Sequence, residues 1–179
     1  MKKRIIALGL LWCLSAVMLQ AARVDTVLVR SAAMNKDVKV VYVLPDKAIG
    51  KQACPVVYLL HGYGGNARSW VQLKPELPQM ADEKGIIFVC PDGKNSWYWD
   101  SPENPAYRYE TFVTSELVKY TDGNYATIPD RKARAISGLS MGGHGALWSA
   151  IRHKDVFGAA GSMSGGVDIR PFPQNWEMN

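Results

Sequence analysis

Ser140 stands between two glycines, each two residues away, in the run Gly138-Leu139-Ser140-Met141-Gly142. A serine hydroxyl attacks a carbonyl only when it stands clear of its neighbours, has a base to take its proton and finds donors for the oxyanion it creates. Ala135 and Ile136 end a short apolar run just before it, and Met141, Ala146 and Leu147 begin a helical spacing just after. Between a strand and a helix, G-x-S-x-G is a nucleophile elbow. The sharp turn lifts the hydroxyl above the sheet and sets it at a helix N-terminus, whose N–H groups face a developing oxyanion. The glycines fit because a strained turn leaves no room for side chains two residues to either side. A plain Gly/Ser loop could carry the same letters, and the flanking strand and helix favour the elbow.

An oxyanion needs a second donor beside the Met141 N–H. The glycine-rich segment His61-Gly62-Tyr63-Gly64-Gly65 follows an apolar run, where a backbone N–H could approach the substrate closely. An ordinary strand-to-helix turn uses glycine too, and the neighbouring elbow tips the reading toward an oxyanion loop. His61, at the strand end and bordering the substrate, reads as a structural hydrogen-bonder rather than a base. Trp97, Tyr98 and Trp99 are adjacent in a long irregular segment, Pro91 to Ala106. Segments of that length are usually functional or disordered, and three aromatics argue against disorder. Trp97, Tyr98 and Trp99 could stack on a sugar or aryl ring of a substrate. Loop packing explains them equally well.

The elements that must position these residues follow from periodicity. Val24–Arg30 and Val38–Leu44 alternate in part and read as a hairpin, with Asn35-Lys36-Asp37 in its link. Pro45–Gln52 reads as a loop. Pro55–Leu60 and Ile86–Cys90 are continuous apolar runs, as in strands buried on both faces. Leu73–Lys84 reads as a helix stopped by Gly85, and Tyr107–Asp122 returns to helical spacing. Lys132–Ser137 is the strand into the elbow, Met141–Arg152 the helix out of it, and Gly158–Ser164 the next strand. A hairpin followed by strand–helix alternation is an α/β architecture, a mostly parallel sheet with an antiparallel hairpin at one edge. Ligands of such sheets bind beyond the carboxyl ends of the strands. His61-Gly62, the Pro91 segment and Ser140 all lie just past such ends. The expected arrangement places the hairpin beside Pro55–Leu60, with Pro55–Leu60, Ile86–Cys90 and Lys132–Ser137 mutually parallel.

The 179 residues allow one domain with a real core, and 47% hydrophobic with 21% charged residues is ordinary for a soluble globular protein. Met1-Lys2-Lys3-Arg4, an apolar stretch Ile5–Leu19 and the small residues of Gln20-Ala21-Ala22 read as a secretory signal peptide over residues 1–22. Fifteen apolar residues are short for a membrane span, so no stable anchor is expected after cleavage, and the product should be secreted or periplasmic. Losing Lys2, Lys3 and Arg4 lowers the formal charge from +5 to +2. No basic patch with interleaved aromatics then remains, which argues against a nucleic-acid partner. Cys54 opens one strand and Cys90 closes another. In parallel strands they sit at opposite ends, so both should be free, buried thiols. No metal-ligand spacing and no phosphate loop is present, and no cofactor is expected.

Four motifs in order resemble the esterase D-type α/β-hydrolases, the group of feruloyl and acetylxylan esterases, S-formylglutathione hydrolases and mycolyltransferases. They are Leu59-Leu60-His61-Gly62-Tyr63-Gly64-Gly65, Asn95-Ser96-Trp97-Tyr98, Tyr109-Glu110-Thr111-Phe112-Val113-Thr114-Ser115-Glu116-Leu117, and Gly138-Leu139-Ser140-Met141-Gly142-Gly143-His144-Gly145-Ala146-Leu147. The likeness runs from about residue 24 to 168. It implies an α/β-hydrolase-type three-layer sandwich, Ser140 as nucleophile, and the backbone N–H groups of Tyr63 and Met141 as the oxyanion hole. In that family the acid and histidine follow the serine on loops after two further strands. His144 and His153 share the elbow helix and cannot face the serine, and Asp155 and Asp168 come too early. The expectation is therefore a partial α/β-hydrolase domain over residues 23–179, incomplete at its C-terminus before the charge-relay pair. The expected activity is an exported serine carboxylesterase acting on acylated carbohydrate or other small esters. The alternatives are an inactive fragment, a non-catalytic binding protein, an S-formylglutathione hydrolase or an acyltransferase.

Overall fold

The computed structural model describes residues 22–168. The signal-peptide reading falls on residues that, apart from Ala22, lie outside this range. The chain opens with β1 (Arg23–Ser31) and β2 (Lys36–Leu44), a hairpin paired antiparallel from Arg23 opposite Leu44 to Ser31 opposite Lys36. A single turn of helix, α1 (Asp46–Ile49), lies within the stretch expected to be irregular. Then come β3 (Val56–Leu60), α2 (Ser69–Leu73), α3 (Leu77–Lys84) and β4 (Ile87–Pro91). The long irregular segment leads into α4 (Tyr109–Thr111), a wide π-helical turn (Phe112–Glu116) and α5 (Leu117–Asn124), which run on without a break. A 3-10 turn (Arg131–Ala133) leads into β5 (Arg134–Leu139), then α6 (Met141–Arg152) and β6 (Ala159–Met163).

The six strands form one sheet in the order β1-β2-β4-β3-β5-β6. β4, β3, β5 and β6 are parallel, and the hairpin joins antiparallel through β2 against β4, Val40 opposite Pro91. This corrects the expected place of the hairpin, which flanks β4 and not β3. The two apolar runs are both largely buried, so their composition does not tell which is central, and β3 is enclosed by parallel neighbours on both sides. The helix expected over Leu73–Lys84 is divided. Lys74, which precedes Pro75, leaves the helical region at φ −130°, ψ 78°, because a residue before proline is pushed out of α geometry. Gly85 ends α3 in the left-handed region at φ 64°.

Alternation across the strands builds two cores. Val40, Tyr42, Tyr58, Leu60, Val89 and Ile136 face the layer of α4–α5 and α6, which returns Phe112, Leu117, Met141 and Ala146. Val41, Val43, Leu59 and Phe88 face α2 and α3 through Leu77 and Ala81. The result is a three-layer α/β sandwich. Cys54 and Cys90 are free and buried, and burial raises both thiol pKa values. Ala22, assigned to the leader by composition, is 7% exposed and packs with the second core.

Candidate active site

Ser140 is the single residue between β5 and α6, at φ 55°, ψ −117°. Positive φ is strained for a side-chain-bearing residue and persists only where the surroundings impose it. Here they do. A Cβ on Gly138 would fall on the Gly142 backbone, and a Cβ on Gly142 would fall on the Leu60 carbonyl. The two motif glycines thus let the end of β5, the first turn of α6 and the end of β3 touch. Ser140 is exposed while Met141 beside it is fully buried. The Ser140 N–H donates to the Met163 carbonyl at 2.8 Å, so β6 secures the turn, and its own carbonyl accepts the His144 N–H at 3.0 Å. Met141 opens a 12-residue helix, and an N–H at a helix start has no intrahelical acceptor.

The loop after β3 lies against this turn. A Cβ on Gly62 would sit 3.5 Å from the Ser140 Cβ, so the backbone leading to Tyr63 borders the serine directly. Tyr63 is 39% exposed. The Gly64 N–H donates to Asn95 Oδ1 at 2.9 Å, which ties this loop to the irregular segment. His61 points the other way. It is 2% exposed, its Nδ1 lies 2.7 Å from the Gly62 carbonyl, and its Nε2 accepts the Gly93 N–H at 2.9 Å. That pair of bonds fixes a neutral ring with the proton on Nδ1. His61 therefore braces the loop from beneath and does not face a substrate. Asp92 lies below it. Burial opposes its charge, but Lys94, with Nζ at 2.9 Å and backbone N–H at 3.0 Å, holds the carboxyl far below the usual carboxylate range.

The three aromatics take three different positions. Trp97 is 5% exposed and packs edge-on against His144 with ring centres 5.4 Å apart. Trp99 is half-buried and donates Nε1 to His144 Nε2 at 2.8 Å. Tyr98, expected with its two neighbours to stack on a sugar or aryl ring, is instead fully buried and joins all three segments. Its hydroxyl accepts the His61 N–H at 2.9 Å and donates to the His61 carbonyl at 3.2 Å. Its ring fills space that a Cβ on Gly93 or Gly145 would occupy. Gly93 and Gly145, the second one turn past the elbow, are the traces of this contact in the sequence, and neither names its partner. Trp97 and Tyr98 both sit at positive φ, 55° and 60°, as Ser140 does.

None of the chain's three histidines is spent on Ser140. His144 places Nδ1 2.6 Å from the Gly166 carbonyl and accepts from Trp99, and burial lowers its pKa despite the Gly166 contact. His153 bonds Glu110 Oε1 through Nε2 at 2.8 Å. Glu110 also accepts Trp148 Nε1 at 2.7 Å and Arg152 Nε at 2.8 Å. Burial works against its charge, but these three donors hold its pKa below the ordinary value. Two adjoining clefts share Trp99 and Asp100. One, about 340 Å³, is lined also by Asn95, Glu103 and Tyr107, and the other, about 490 Å³, by Glu110, Trp148 and Arg152. Among the described residues no group of His, Cys, Asp and Glu is arranged to hold a metal.

Residues 31–178 match the family model described as "Putative esterase". The chain is 28% identical over 135 residues to an acetyl esterase of Caldicellulosiruptor saccharolyticus, covering 71% of this chain and 50% of that protein. It is 34% identical over 155 residues to the diacylglycerol acyltransferase/mycolyltransferase Ag85A of Mycobacterium gordonae, covering 81% and 43%. A solved ferulic acid esterase superposes with a TM-score of 0.73 at 32% identity, over 83% of this chain and 62% of that one. The chain spans about half the length of the curated relatives it matches.

Proposed function

This chain belongs to the esterase family, and from that premise we propose that it carries the acyl-accepting half of an exported serine esterase. Ser140 Oγ attacks the ester carbonyl carbon, the carbonyl π electrons move onto oxygen, and the N–H groups of Met141 and Tyr63 receive that oxyanion. Collapse breaks the bond to the alcohol, which leaves with a proton, and water then releases the acid from Ser140. The observation that carries the reading is Ser140 itself, exposed at φ 55° on a helix N-terminus with the Gly62 backbone against it.

The histidines limit what this chain does alone. Each is committed elsewhere, which supports the reading that none of the three takes the Ser140 proton. That commitment favours a second reading for the isolated chain, a binding half without turnover. The proposed substrate is an acylated carbohydrate. The cleft of Trp99 and Tyr107 offers faces to a sugar or aryl ring, and Asp100 and Glu103 offer acceptors to hydroxyls. The likeness to an acetyl esterase and a ferulic acid esterase supports the same class. The basic start, apolar stretch and small residues of positions 1–22 support export.

The test is turnover of p-nitrophenyl acetate and of acetylated or feruloylated oligosaccharides by the natural-length protein. Ser140→Ala should reduce turnover at least about 1,000-fold, as expected when a nucleophile is removed. Retention of wild-type turnover contradicts the assignment.

A further inference from the structure

Where the leader ends is written in the packing of Ala22. Its backbone N–H donates to Asp82 Oδ2 at 2.7 Å, and the residue packs in the core with Val41, Val43 and Ala81. The other Asp82 oxygen accepts the Asp46 N–H at 2.8 Å. One carboxylate on α3 therefore holds both the start of β1 and the chain just after β2. We propose that export cleaves the Ala21–Ala22 bond, so that Ala22 is the first residue of the mature protein and its ammonium pairs with Asp82.

The inference rests on the export reading and is independent of the ester chemistry. Leader cleavage favours a small residue just before the broken bond, which Ala21 and Ala22 both offer, while the third residue back is Leu19 in the one case and Gln20 in the other. The structure separates them. Cleavage after Ala22 would discard a residue packed in the core and leave Asp82 Oδ2 without its donor. Cleavage after Ala21 keeps both contacts. Water supplies the hydroxyl to the Ala21 carboxyl and a hydrogen to the Ala22 nitrogen. The new amine is protonated at neutral pH, its ordinary pKa being about 8. A neutral N–H···O bond becomes a charge-assisted one, about twice as strong.

The first measurement is the intact mass of the exported product of the full 179-residue chain, taken in denaturant so that no folding is required. A product beginning at Ala22 is expected. A product beginning at Arg23, or at any other residue within the chain, overturns this proposal and leaves export standing. A product that retains Met1 overturns both. The second measurement compares the natural-length protein beginning at Ala22 with a free and with an acetylated amine. The acetylated form should melt lower by about 2–4 °C at low salt, and Asp82→Asn should abolish the difference. Equal melting of the two forms with Asp82 intact overturns the pairing.

Discussion

Tyr98 touches no proposed reacting atom, yet its hydroxyl closes both backbone groups of His61, one residue before Gly62. Tyr98→Phe keeps the ring seated over Gly93 and Gly145 and removes only that bridge. A buried N–H left unpaired costs about 1–3 kcal/mol, and a small shift of an oxyanion donor can cost about 100-fold in rate. We expect Tyr98→Phe to lower kcat of the natural-length protein about 10–100-fold with KM little changed, read by steady-state ester hydrolysis. His144 makes a different prediction. Burial lowers its pKa, so the unfolded chain takes a proton first as pH falls below about 6.5, and the stability tied to the neutral ring is lost from there downward. Glu110 and Asp92 shift the opposite way for carboxyls, downward, so their contribution is complete above about 4.3 and is lost as pH falls through their folded values. Melting temperature against pH should therefore fall in two windows, and His144→Gln should flatten the upper one alone.

At the scale of elements, α6 is held at both ends. Ser140 and the Gly138–Gly142 contact fix its start, and Glu110 gathers Trp148, Arg152 and His153 near its end. Glu110→Gln keeps the shape and removes the charge that attracts Arg152. With Arg152 half exposed the expected loss is about 1–3 kcal/mol, read by thermal or urea unfolding. The strand, turn and helix around Ser140 are legible in the sequence because the motif, the apolar run and the helical spacing agree over neighbouring residues. The antiparallel hairpin and the parallel strands are legible for the same reason. Strand order is not, since Pro55–Leu60 and Ile86–Cys90 look alike to water and only tertiary pairing decides which is central. The break at Lys74 is written in Pro75, and a helical reading that follows hydrophobic spacing alone passes over it. Tyr98 and Glu110 are invisible as organisers because their partners lie 37 to 43 residues away.

For the whole molecule, the sheet of the described residues ends in β6, a strand of Ala159-Ala160-Gly161-Ser162-Met163 with no charge, no proline and mostly exposed residues. Such edges invite pairing with other chains. Ile151 and Val167, 66% and 74% exposed, add apolar surface. Residues 22–179 made alone should therefore self-associate and turn over no ester, and Ala160→Lys should shift the size distribution toward monomer by light scattering. A soluble monomer that hydrolyses ester through Ser140 would show that a base exists within these residues. The acyl-enzyme itself reports whether Ser140 is the nucleophile. The natural-length protein is quenched in acid during p-nitrophenyl acetate turnover and its peptides are weighed. One acetyl group on the peptide holding Ser140, absent in Ser140→Ala, is the predicted result. An acetyl group on a different residue, with Ser140 unmodified, would contradict it.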